Sequence, residues 1–265
     1  MGMNLGLAFI LGLVEGVTEF LPISSTGHLI LAGHLLHFTG PKASVFEVFI
    51  QIGAIFAVVA AYPQRFLGFF DFKSRQGFSG VNAFLLLACT TLPALGVGFL
   101  VHDFVKERFF NPWTVATALI VGGIWIIAME SRALTVKKDS LDELGWKDAW
   151  VIGLFQCLAI WPGMSRSAAT ILGAMTIGIG RRAAAEYSFF AAVPILCAAA
   201  LLDLVKGLPS LVPADFPFFG TGLAVSFITA WMVIKLFIGM VSRFKMTAFG
   251  WYRIALAAAI LFWLK

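Results

Sequence analysis

Glu15 and Glu19 stand four residues apart in a run that is otherwise almost free of charge. On a helix that spacing sets them about 40° apart on one face. Adjacent carboxylates repel unless a proton or a cation sits between them. The pair therefore has three readings: a carboxyl–carboxylate hydrogen bond inside the fold, a general base, or a site for a hard divalent cation such as Mg²⁺ or Ca²⁺, which takes oxygen ligands. Five residues further on the chain reads Ser24-Ser25-Thr26-Gly27-His28. Ser and Thr cap helix N-termini, and such a terminus, with free N–H groups and a positive dipole end, binds anions. The construction returns at Pro162-Gly163-Met164-Ser165-Arg166-Ser167, with an arginine added. A guanidinium forks to two oxyanion oxygens at once. Two helix N-termini and Arg166, brought together, would make a phosphate-sized site facing two carboxylates. His28 reads as a base, an acid or a hydrogen-bonded core histidine. Glu47, Gln51 and Glu186 are weaker candidates for the same cavity, and Asp203, Lys235 and Arg253 read as anchors or partners near span ends.

What must position these groups is a membrane protein. The 265 residues are 60% hydrophobic and only 12% charged, with a mean hydropathy of +0.93. Soluble domains carry roughly twice that charge, and a soluble core of this size could not hide so much apolar surface. A soluble enzyme, a disordered chain and a disulfide scaffold are excluded. The net charge of +5 fits basic loops that set orientation rather than a nucleic-acid surface. Cys89, Cys157 and Cys197 all fall in apolar stretches without metal spacing and read as packing residues. Met1–Leu21 lacks a basic leader and a cleavage site, so it is expected to belong to the fold.

Six apolar blocks are long enough to span: Phe46–Tyr62, Val81–His102, Pro112–Glu130, Ala183–Val205, Pro217–Val241 and Ala248–Leu264. Ser131–Lys147 is polar and reads as an exposed loop. Two further blocks, Met3–Phe38 and Asp148–Ile179, are interrupted at the Ser24 and Ser165 motifs. After each break about ten apolar residues follow, roughly 15 Å of helix, which reaches mid-membrane and back. Both are expected to be re-entrant helix–loop–helix hairpins.

The broken blocks match one another at an offset of 141: Gly12, Leu13, Glu15, Phe20 and Ser24 align with Gly153, Leu154, Gln156, Trp161 and Ser165. A hairpin plus three crossings inverts the second copy. The expected fold is thus an all-α polytopic membrane protein, a single domain over 1–265, with an inverted repeat of a re-entrant hairpin and three transmembrane helices, repeat 1 at about 3–130 and repeat 2 at about 148–264. With neither hairpin crossing, Lys42, Lys106, Arg108, Lys206 and Lys265 share one side. Eleven basic residues, among them Arg65, Lys137, Lys147 and Arg181, share the other. The richer side is expected to be cytoplasmic and both termini outward.

The segments Gly12-Leu-Val-Glu-Gly-Val-Thr-Glu-Phe-Leu-Pro-Ile-Ser-Ser-Thr-Gly-His28 and Pro162-Gly-Met-Ser-Arg-Ser167 resemble the two signature regions of the undecaprenyl-diphosphate phosphatase family of the bacitracin-resistance type. The resemblance runs over essentially the whole chain, including Phe46-Glu47-Val48. It implies a bacterial inner-membrane enzyme that hydrolyses undecaprenyl diphosphate to undecaprenyl phosphate, recycling the carrier for peptidoglycan. It also implies a requirement for divalent cations, and activity linked to the positions matching Glu15, Glu19, Ser25, His28, Ser165 and Arg166. Ile160 stands opposite Glu19 in the second copy, so one active site is expected.

Glu19, Ser25, His28 and Arg166 are accordingly the candidate catalytic residues. Ser24, Thr26, Gly163, Ser165 and Ser167 are the candidate substrate-binding groups, and Glu15 and Glu19 the candidate metal ligands. The nucleophile is either Ser25, activated by Glu19 or His28, or a metal-held water. The polyprenyl diphosphate would enter from the outer side with its tail in lipid. The rival reading is a lipid-carrier or anion transporter on the same repeat. A lipid phosphatase with a histidine nucleophile is set aside, because the chain has no Arg-Pro dipeptide. Oligomeric state is not legible.

Overall fold

A computed structural model describes residues 4–73, 77–133, 135–207 and 211–264, apart from a few side chains near the ends of two long helices. Of the residues named above, Met1, Met3 and Lys265, and the side chains of His102, Lys106, Asp203 and Lys206, lie outside the described set.

Apart from one isolated bridge between Lys138 and Ile179, the described residues form helices and connections. In chain order these are α1 (Leu5–Thr18), α2 (Ser25–Leu35), α3 (Pro41–Ala61), α4 (Pro63–Gly68), α5 (Gly80–Arg108), α6 (Pro112–Ser131), α7 (Trp146–Gln156), α8 (Arg166–Thr176), α9 (Arg181–Gly207), α10 (Phe216–Val241) and α11 (Thr247–Trp263). Five of them, α3, α5, α6, α9 and α10, carry windows apolar and long enough to cross a membrane. Helix α11 has 17 residues and α1 has 14, both apolar but shorter. Apolar side chains face outward along the spans, with Phe99 85% and Leu100 82% exposed. That is the inverse of a soluble protein and suits a hydrocarbon solvent.

The long helices pair closely: α1 lies on α10, α10 on α3, α3 on α9, α5 on α7, and α6 on α11. Lipid is as apolar as leucine, so helices in a bilayer associate through close packing rather than water exclusion. The chain meets this with glycine. A Cβ on Gly12 would stand 2.5 Å from the Gly222 carbonyl oxygen, and one on Gly153 would stand 2.7 Å from that of Thr90. These two contacts bring α1 onto α10 and α7 onto α5 at backbone distance.

The two interrupted blocks break where the sequence indicates. Helix α1 ends at Thr18 and α2 begins at Ser25; α7 ends at Gln156, continues as a 3-10 turn over Cys157–Ile160, and α8 begins at Arg166. The connection after α6 is less free than its polarity suggests. Leu141 and Leu144 are buried, and Asp142 receives Arg65 of α4 at 2.8 Å.

Candidate active site at two meeting loops

Ser24 and Ser165 share an unusual backbone. Both sit at positive φ, 71° and 74°, a region that costs a non-glycine residue about 1–3 kcal/mol. Each is the N-cap of the helix that follows. Ser24 Oγ accepts from the Gly27 N–H at 3.3 Å, and Ser165 Oγ from the Ala168 N–H at 3.2 Å. The cap bond stabilises the left-handed turn that starts each helix. Gly163, at φ 97°, makes the approach to α6 possible, since a Cβ there would lie 2.6 Å from the Val115 carbonyl oxygen.

The loops are fastened to one another. Ser167 Oγ donates to the Leu21 carbonyl at 2.8 Å. Arg253, fully buried on α11, donates to Pro22 O at 3.1 Å and to Gly163 O at 3.0 Å, and also to the Leu119 and Ala118 carbonyls of α6. Of the two readings of Arg253, anchor or partner, the structure gives the second: it braces the two loops against α6. The signal lay in its position, the sixth residue of the apolar run Ala248–Leu264, where a guanidinium must find buried acceptors.

Above that brace Arg166, Glu19 and Ser25 form one chain of contacts. Arg166 Nη2 donates to Glu19 Oε1 at 3.1 Å, and Ser25 Oγ donates to Glu19 Oε2 at 2.6 Å. Arg166 Nη1 reaches the carbonyl and the hydroxyl of Ser188 at 2.8 and 3.0 Å, and Thr170 Oγ1 donates to that hydroxyl at 2.7 Å. The ion pair is nearly dry, with side chains 9% and 5% exposed. Removing one partner of such a pair costs about 3–5 kcal/mol, because the other charge stays buried.

A cavity of about 200 Å³ opens on this chain. Glu19, Ser24, Ser25 and Thr26 line it from the first loop, and Gly163, Ser165 and Arg166 from the second. Its other walls include Gln51, halfway along α3, Ala94 of α5, and Ile195 and Leu196 of α9. Pro93 and Pro194 interrupt the ladders of α5 and α9 one residue before those wall positions. The cavity therefore lies at mid-span, walled in part by helices that each carry a proline there.

The remaining sequence candidates fall elsewhere. His28 is turned from the cavity: Nδ1 donates to the Ser24 carbonyl at 2.7 Å, and Nε2 lies 2.8 Å from the Tyr252 hydroxyl, with the rings stacked at 7°. Ser167 is buried and committed to Leu21. Glu186 pairs with Arg182 at the start of α9. Lys235 sits 3.5 Å over the Trp231 ring. Glu15 is 1% exposed behind Glu19, and neither of its carboxylate oxygens has a hydrogen-bond partner. Gln156, its counterpart at the 141 offset, does line the cavity, and its Nε2 donates to the Thr90 carbonyl at 3.0 Å.

The orphaned Glu15 oxygens are what a divalent cation would satisfy, with Glu19 one turn away. Among the described residues no group of three or more His, Cys, Asp or Glu gathers in metal-binding range. Two carboxylates alone would leave most of the ligands of a hard divalent cation to be water or substrate oxygens.

Residues 8–259 match the family described as bacitracin resistance protein BacA. A protein of Oleidesulfovibrio alaskensis named undecaprenyl-diphosphatase is 53% identical over 258 residues, 97% of each chain. A protein of Maridesulfovibrio salexigens with the same name is 53% identical over 259 residues, and one of Lawsonia intracellularis 47% identical over 263, each covering 98% of both chains. With one alignment running through both loops and every spanning helix, the chain belongs to the bacitracin resistance protein BacA family.

Proposed function

We infer that this protein hydrolyses undecaprenyl diphosphate to undecaprenyl phosphate and inorganic phosphate, the activity its relatives' name describes. The observation that carries the reading is the Ser25–Glu19–Arg166 chain at the wall of a mid-span cavity. A pore for an anion has no need of a hydroxyl hydrogen-bonded to a carboxylate, whereas a phosphoryl transfer does.

In the proposed reaction the Ser25 oxygen attacks the terminal phosphorus while Glu19 Oε2 takes the hydroxyl proton. The phosphorus–oxygen bond to the prenyl phosphate breaks, and that phosphate leaves with the electron pair. Glu19 passes that proton to the departing prenyl phosphate and, a carboxylate again, takes one from the water that attacks the phosphoserine; the proton returns to the Ser25 oxygen as inorganic phosphate leaves. A metal-held water attacking directly is the alternative route. Charge spreads over the phosphoryl oxygens in the transition state, and fixed donors aimed at them supply most of the catalysis. Arg166 Nε is buried without a partner, and the first residues of α2 and α8 line the same cavity. Glu15 and Glu19 would hold the divalent cation, which supplies neutralisation of the diphosphate charge.

The inverted repeat is supported by matched packing at the 141 offset. The α1–α10 contact corresponds to α7–α5, and the first and third spans of each half pair with one another as α3–α9 and α6–α11. Ser24 and Ser165 share one strained conformation. In that arrangement α11 is the sixth span and both hairpins are re-entrant. The basic excess beside Arg65, Lys137 and Arg181 favours a cytoplasmic placement of that side, with the cavity opening outward and both termini outside.

The test is phosphate release by the purified protein given undecaprenyl diphosphate, with and without chelator. Release that chelator abolishes is expected. Transbilayer movement of the lipid without release would instead establish the transporter.

A further inference from the structure

Beside the polar cavity runs a second hollow of about 240 Å³, formed by Val97, Val101 and Phe104 of α5 with Phe109, Ile160 and Trp161 among its walls. Its surface is almost wholly apolar, and it shares Ile160 and Trp161 with the cavity that holds Glu19, Ser25 and Arg166. One end of the composite is therefore charged and hydrogen-bonding and the other is hydrocarbon. The walls are fixed before any ligand arrives. The Trp161 Nε1 donates to the Thr114 carbonyl at 3.2 Å, Phe109 meets the indole edge-on at 5.9 Å, and Phe104 meets Phe109 at 5.8 Å.

We propose that this groove is the subsite for the first isoprene units of the substrate, holding the tail where it leaves the diphosphate. The proposal rests on the reading of the cavity as a prenyl-diphosphate phosphatase site. Surrounding lipid is as apolar as the groove, so the groove adds no hydrophobic driving force. What it adds is shape: rigid rings against a methyl-branched chain, which restricts the tail and orients the phosphorus toward Ser25. From Val97 to Val105 the groove follows about 12 Å of helix at 1.5 Å per residue, enough for about two isoprene units. A longer tail would pass on into lipid, so preference should be set near the head group and not by total length.

Two substrates separate this from the parent reading: farnesyl diphosphate, which fills the groove, and methyl diphosphate, which carries no isoprene unit to place in it. Val101→Trp, which plugs the groove, should raise KM for farnesyl diphosphate about tenfold and leave methyl diphosphate hydrolysis unchanged. Equal loss on both substrates, or on neither, would overturn the subsite. Should Val101→Trp fail to fold, Phe104→Ala widens the same groove and should show the same split. A diphosphate with a photoreactive group on its first isoprene unit gives a reading on the wild-type protein. Labelling should fall in 97–109 or 157–161, and labelling confined to α3 or α10 would also overturn the subsite. If wild-type protein hydrolyses neither substrate nor undecaprenyl diphosphate, the parent reading fails, whereas photolabelling of 97–109 would still show the tail in place.

Discussion

Arg166 of the second loop and Glu19 of the first meet at 3.1 Å although 147 residues separate them. Glu19 in turn takes the Ser25 hydroxyl on its other oxygen. One carboxylate is thus shared by a guanidinium and a nucleophile candidate, and each of the three groups constrains the other two.

Glu19→Gln should remove about 10²- to 10⁴-fold of turnover, the usual contribution of a general base. The amide keeps the shape and still accepts from Arg166, so the protein should remain folded and elute as the wild type does. Near-normal phosphate release would assign Glu19 to packing. Glu15→Gln should be milder, since Gln156 stands in the related position.

Ser25→Ala and Arg166→Lys separate attack from charge stabilisation. The alanine variant should lose turnover while still binding the diphosphate, because Arg166 and both helix N-termini remain. Arg166→Lys keeps a charge but loses the planar fork, so kcat should fall about a hundredfold with a much smaller change in affinity. Substantial hydrolysis by Ser25→Ala would leave the metal-held water as nucleophile.

Arg253→Lys tests the brace. A lysine ammonium cannot span the Pro22 and Gly163 carbonyls together with those of α6, and each buried carbonyl left unpaired costs about 1–3 kcal/mol. Thermal stability in detergent should drop, and kcat should fall more than KM rises, since the loops lose register while their side chains persist. Wild-type kinetics with a lowered Tm would make Arg253 a structural residue only.

The connection after α6 should show a small pH dependence. Arg65, hydrogen-bonded to Asp142 together with the Phe78 N–H, holds the Asp142 carboxyl below its usual range. Such a depressed acid stabilises the fold at neutral pH, and its contribution is lost as pH falls through the lowered value. The pair is nearly half exposed, so the effect is about 0–1 kcal/mol. The Tm gap between the wild type and Asp142→Asn should be small at pH 7 and close on acidification; a gap that widens with acid would contradict the sign.

For orientation, cysteines at Thr39 and Val136, with the native three replaced, should label from opposite faces of sealed vesicles. Val136 should be cytoplasmic and Thr39 outward. Labelling of both from one face would remove the re-entrant hairpins.

Much of this architecture was legible in one dimension because hydrocarbon imposes simple demands. Long apolar runs had to be helices, and the breaks at Leu21–Ser24 and Trp161–Ser165 stood out because Pro, Gly and Ser are costly there without a purpose. Charge scarcity made Glu15, Glu19 and Arg166 conspicuous for the same reason. Partner choice was not legible. Sequence placed His28 beside Ser25, yet the turn of α2 points its ring at Tyr252, 224 residues away. It placed Glu15 and Glu19 on one face, but the packing of α1 on α10 leaves only Glu19 at the cavity. Arg253 read as either an anchor or a partner, and only the fold joined it to the carbonyls of both loops. Solvent preference is a property of each residue and can be read along the chain. Which carbonyl meets which guanidinium depends on helices far apart in sequence, and only their packing decides it.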